Sequence, residues 1–110
     1  MAWLLREGEV LAAIEALEAG WPAIIQGAVV RRGSGLVHTF GWPGVRDLAW
    51  CANGTTGAGD ACLEVRRVAS MRPKRIGPPQ IKGGALVVAE GGAFERWHLK
   101  VGDCLEIRDR

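Results

Sequence analysis

The sequence predicts a β-rich α+β domain, with about six short, mostly antiparallel strands in a partly closed, barrel-like sheet and one or two short helices. Three observations predict it. Sixteen glycines and five prolines interrupt the chain too often for long helices. Apolar runs of strand length, such as Ala85–Ala89 and Cys104–Ile107, recur between those interruptions. A chain of 110 residues carrying so many strands hides their edges best by curling the sheet round on itself.

The elements follow in order. Trp3–Arg6 and Val10–Ala12, separated by Glu7-Gly8-Glu9, read as a small hairpin. Ala12–Ala19 is rich in strong helix formers, with Leu11, Ile14 and Leu17 at helical spacing, and predicts a helix of about two turns ended by Gly20 and Trp21-Pro22. Ala23–Val30 fits a buried strand, and Arg31–Gly35 a turn. Leu36–Phe40 and Val45–Cys51 predict an antiparallel hairpin around Gly41-Trp42-Pro43-Gly44, in a register that sets His38 opposite Asp47. Asn53–Asp60 reads as a loop; its three glycines lack the lysine and the following helix of a phosphate cradle. Cys62–Val68 alternates as a strand. Ser70–Gln80, with three prolines, predicts an exposed irregular loop. Ala85–Ala89 is a strand ended by Gly91-Gly92, Ala93–His98 one helical turn, and Lys100–Asp103 the turn into a last strand at Cys104–Ile107. A helical turn, a Gly-Asp turn and a strand also occur together in small cradle-loop barrels, which supports a barrel.

Composition bounds the function. Apolar content of 48% and charged content of 24% fit one ordinary globular domain, 1–110. A net charge of +2 does not by itself imply nucleic acid. The amino-terminal residues resemble neither a secretory signal nor a membrane span. Cys51, Cys62 and Cys104 have no metal-site spacing and no Cys-x-x-Cys pair, so they read as buried, reduced thiols of a cytoplasmic protein.

The run V-H-T-F-G at Val37–Gly41, followed by Asp47, resembles the H-T-F-G-M and P-I-D-V segments of the bacterial and archaeal domain-of-unknown-function family 192. The resemblance extends through the basic, proline-containing stretch and the strand at Ala85–Ala89 to G-G-A-F-E-R-W-H-L-K-V-G-D-C-L-E-I at Gly91–Ile107, and includes the opening W-L-L-R-E-G-E-V. The chain departs from it at Trp42, at Val45-Arg46, and at Ala52 and Val88, where the family has acids. The resemblance implies relatives rather than an activity.

Two features carry candidate chemistry. His38 and Asp47 are the one convergent pair, an imidazole whose tautomer a carboxylate would fix. A hydrolase would add Ser34, Thr39 or Cys51 as nucleophile; the bland alternative is a structural hydrogen-bonded pair, which is favoured. A metal held by His38, Asp47 and His98 is disfavoured by their spacing, and no cofactor is expected. The second feature is the basic stretch of Arg66, Arg67, Arg72, Lys74 and Arg75, with no acid among them, which suits phosphates of nucleic acid or anionic lipid. Nucleic acid is not favoured, because no aromatic lies among these cations to stack on bases. Trp42, in a turn, is expected at a contact surface. The leading expectation is a non-catalytic binding or accessory module for a protein partner or small ligand. The alternatives are an anion or nucleic-acid binder and a small hydrolase.

Overall fold

The structure is a computed structural model that describes residues 2–15, 27–32, 35–80 and 83–109. Apolar residues before and after the Glu7-Gly8 turn form an antiparallel hairpin of β1 (Ala2–Arg6) and β2 (Glu9–Glu15). The helix expected from Ala12 is therefore a strand as far as Glu15, and the rest of that expectation lies outside the described residues. Pairing with β1, from Ala2 opposite Ile14 to Arg6 opposite Glu9, overrides the alanine-rich helix propensity. Next come β3 (Ala28–Arg32), β4 (Gly35–His38), β5 (Arg46–Thr55), β6 (Ala61–Met71) and β7 (Ile76–Gln80). They are followed by β8 (Ala85–Glu90), a single helical turn α1 (Ala93–Arg96) and β9 (Cys104–Asp109).

Seven strands close into a barrel in the order β1-β2-β3-β8-β5-β6-β9, with β9 pairing back onto β1. The expected partial closure is thus complete, which removes the edges of the main sheet. Every neighbouring pair is antiparallel except β2 and β3. The barrel interior packs Leu4, Ala49, Val65, Val87 and Leu105, with Phe94 of α1 in the same cluster.

A second apolar layer lies on the outside of β3, β5 and β8. There Val29, Leu48, Trp50, Leu86 and Val88 pack against Val37 and Trp42. Residues Leu48 to Cys51 and Ala85 to Ala89 are therefore buried on both faces of their strands, which accounts for their unbroken apolar character. The cover is a separate two-stranded sheet of β4 and β7. Gly77 allows this close approach: a Cβ there would lie 3.1 Å from both Met71 Sδ and Trp50 Cζ2.

This topology corrects several expectations. β4 pairs with β7, and β5 pairs with β6 and β8, so Leu36–Phe40 and Val45–Cys51 do not form a hairpin. The burial of Val37 against the outer apolar layer of the barrel, beside β7, wins over the short Pro-Gly turn. Asn53–Thr55 belongs to β5, leaving a shorter loop before Ala61. Ser70–Gln80 is mostly strand, because Pro78 and Pro79 are tolerated in a short edge strand. Cys62 and Cys104 form a disulfide that ties β6 to β9, so the expectation of three reduced thiols fails; Cys51 alone is a free, buried thiol. No helix among the described residues is long and apolar enough to cross a membrane.

Candidate functional site

Asp47 sits in β5 opposite Ser70 of β6 and is 3% exposed. Its Oδ1 accepts a hydrogen bond from Ser70 Oγ at 2.6 Å. Its Oδ2 accepts from the backbone N–H groups of Gly92 at 3.1 Å and Phe94 at 3.0 Å. Gly92 is the N-cap of α1 and provides no side chain, so Asp47 caps the helical turn from β5, the strand beside β8. The carboxylate is thereby spent on structure.

His38 belongs to the cover sheet. Its Nδ1 accepts from the Phe40 backbone N–H at 3.3 Å, and the two rings lie 5.4 Å apart with an interplanar angle of 33°. His38 and Asp47 therefore stand on different sheets, and the expected imidazole–carboxylate pair is not formed. The nucleophiles considered with it are engaged elsewhere. Thr39 Oγ1 donates to the Arg72 carbonyl at 2.6 Å and accepts from the Arg75 N–H at 2.8 Å. Cys51 lies in the interior core, where burial pushes its thiol pKa up to about 12. Ser34 lies outside the described residues. No group of three metal-ligating side chains is gathered among the described residues; His98 stands exposed after α1, at φ 53°.

Trp42 is 5% exposed, which overturns the expectation of a surface tryptophan. It packs into the outer apolar layer with the Arg46 guanidinium 4.9 Å over its ring. Burial pushes the Arg46 pKa down, while the negative charge of Glu15 acts in the opposite direction.

The basic residues divide. Arg66 lies at a bulge and pairs with Glu64 at 3.5 Å. Arg67 is directly opposite Trp50, so it stands on the outer face of β6 beside the cover sheet. Arg72, Lys74 and Arg75 form the exposed turn between β6 and β7. Thr39 fastens that turn to the end of β4: its N–H donates to the Arg75 carbonyl at 2.9 Å, and its carbonyl accepts from Lys74 N–H at 3.2 Å, in addition to its two hydroxyl bonds. At the other end of the cover sheet, Gln80 and Arg31 exchange two hydrogen bonds, at 2.8 and 3.0 Å. Between them Trp50 Nε1 donates to the Pro78 carbonyl at 2.8 Å.

The outer face of this anchored sheet is apolar. His38 lies directly opposite Ile76, while the neighbouring pair Val37 and Gly77 faces the barrel. Leu36, Phe40 and Ile76 are 59%, 51% and 64% exposed. Sequence reading missed this face because its halves are more than thirty positions apart, and only the β4–β7 pairing brings His38 and Phe40 beside Arg72–Arg75. It also missed how the charge is distributed. No Asp or Glu occurs between Ala19 and Arg46 or between Val65 and Ala89, so the nearly balanced total conceals an acid-free cover. An open cleft of about 730 Å³ lies elsewhere, against β2 and α1, with Ile14, Ala93 and Trp97 in its wall. None of the residues expected to form a site lines it.

Comparison with known proteins gives no assignment: no family model, no curated protein and no solved structure matches the chain.

Proposed function

We propose that the protein is a non-catalytic binding module. Its contact face is the outer surface of the β4–β7 sheet with the Arg72–Arg75 turn, and its partners are anionic. One observation carries the reading: Thr39 fastens an exposed turn of three cations beside the exposed Phe40 and Ile76. Fixed cations next to apolar surface favour a partner that offers negative charge and apolar area together. The hydrolase alternative is not carried forward, since Asp47 caps α1 and His38 lies on the other sheet. Kinship with family 192 stands as a proposal and adds no chemistry.

The proposed compartment follows the cysteines. A disulfide between Cys62 and Cys104 suits an oxidising compartment better than the cytoplasm expected from reduced thiols.

The test is retention on immobilised heparin under a salt gradient. The native chain should elute at higher salt than a variant carrying Arg72→Gln and Arg75→Gln. Arg108→Gln, which removes a cation paired with Glu106 on β9, should elute close to the native chain. Equal elution of the native chain and the double variant would overturn the proposal.

A further inference from the structure

We infer that the anionic partner is the surface of a lipid bilayer, to which the cover sheet attaches peripherally. This rests on reading the same face as a polyanion contact. The favoured chemistry comes from what stands out of that face. Two of its three large exposed apolar residues, Leu36 and Ile76, are aliphatic. Aliphatic side chains gain little against the flat faces of nucleobases, but they gain fully from entering the boundary between headgroups and acyl chains. Phe40 adds a ring at the same level, leaning on His38. The cations Arg72, Lys74 and Arg75 sit at the end of the sheet where Phe40 and Ile76 emerge, placed to meet lipid phosphates while those side chains insert. No acid lies within Val65–Ala89 to oppose a negative surface.

The sheet is also poorly suited to a protein strand on its β7 side. Pro78 and Pro79 have no backbone N–H, and because successive N–H groups of a strand point to opposite edges, one of the two missing donors is lost from the edge that strand addition needs. A bilayer asks for no such donors.

The mechanism divides the attraction into two parts that salt separates. The electrostatic part is screened over about 8 Å at physiological ionic strength and weakens as salt rises. The part from inserted apolar surface persists.

The experiment is flotation of the full chain with vesicles, alongside anisotropy of labelled single-stranded and duplex oligonucleotides. Vesicles of phosphatidylcholine with phosphatidylglycerol should carry the protein upward, and vesicles of phosphatidylcholine alone should not. Arg72→Gln with Arg75→Gln should lower partitioning by about tenfold or more. Phe40→Ser with Ile76→Ser should lower it by a similar factor, and should lower retention on heparin, which has no apolar interior to receive them, far less than the arginine pair does. Both pairs are exposed, and circular dichroism would verify that the barrel is intact. The lipid assignment is overturned, with the polyanion face still standing, by any of three results. These are retention on heparin without vesicle binding, vesicle binding indifferent to the Phe40 and Ile76 substitutions, or tighter binding to an oligonucleotide than to vesicles. Absence of binding to heparin, vesicles and oligonucleotides alike would overturn both the lipid assignment and the reading beneath it.

Discussion

Asp47 shows how one buried carboxylate can organise a turn that has no cap of its own. It satisfies the Gly92 and Phe94 amides and takes the Ser70 hydroxyl, joining β5, β6 and α1. Asp47→Ala would leave both amides without their acceptor and should destabilise the fold by about 2–4 kcal/mol. Ser70→Ala removes only a donor and should cost about 1 kcal/mol. Urea titrations of both variants check the ranking, and equal midpoints would contradict the capping role. Gly102, at φ +98°, opens the turn into β9 as its Gly-Asp sequence predicts. A Cβ there meets nothing within 4 Å, so the roughly 1–3 kcal/mol expected for Gly102→Val comes from the backbone alone. Cys51 gives a pH signature. Its thiol is raised by burial from 9.0 to about 12, so above pH 9 the unfolded chain gives up a proton that the folded chain keeps. Its contribution is complete below pH 9 and should drain away by about 1.4 kcal/mol per pH unit as pH rises towards 12. Denaturation midpoints should fall less steeply over that interval in Cys51→Ala than in the native protein, although the substitution shifts the whole curve.

Among the elements, the seam between β6 and β9 depends most on a covalent link. Its ladder consists of Leu63 opposite Leu105 and Glu64 opposite Cys104, with two further backbone bonds between Val65 and the Gly102-Asp103 turn. The disulfide joins cysteines 42 residues apart, a loop for which chain entropy gives about 4 kcal/mol, at the top of the roughly 2–4 kcal/mol usual for such links. Cys62→Ser with Cys104→Ser should lower the denaturation midpoint accordingly, and reductant should lower that of the native protein but not of the double variant. Local signals made the chain leading into β9 readable in advance, but neither its pairing with β6 nor the disulfide. The Gly91-Gly92 break, the helical turn holding Phe94 and Trp97, and the start of the last strand all depend on residues close in sequence. The partner of β4 was not readable, because a Pro-Gly turn offers β5 as a nearby mate. Only the apolar surface outside β5 and β8 decides that β4 leaves the barrel and pairs with β7. The same reason hid the candidate face, whose cations and exposed apolar residues come from elements that no local pattern connects. Alanine-rich β2 failed in the opposite sense, since its helix propensity is real and pairing with β1 defeats it.

At the scale of the whole molecule, a barrel interior and an outer layer share β3, β5 and β8 as their common wall. This arrangement converts a sequence of nearly balanced charge into a body with a cover that carries cations and no acids in its own strands and turn. It also sets the order in which the chain can assemble. The barrel closes where β1 meets β9, with Ala2 opposite Asp109, so its final seam joins the earliest and latest residues of the fold. A ribosome that has released β1 and β2 has released a hairpin with two bare edges; that of β2 meets β3 next, but that of β1 finds its mate only after β9 emerges. Until then the nascent chain must be kept from pairing with other chains. Refolding in vitro faces the same long closure, and stopped-flow fluorescence should show a main phase of milliseconds to seconds rather than microseconds. A circular permutant joining the two ends through a short linker and opening at Gly57-Ala58 would have that last seam supplied from the start.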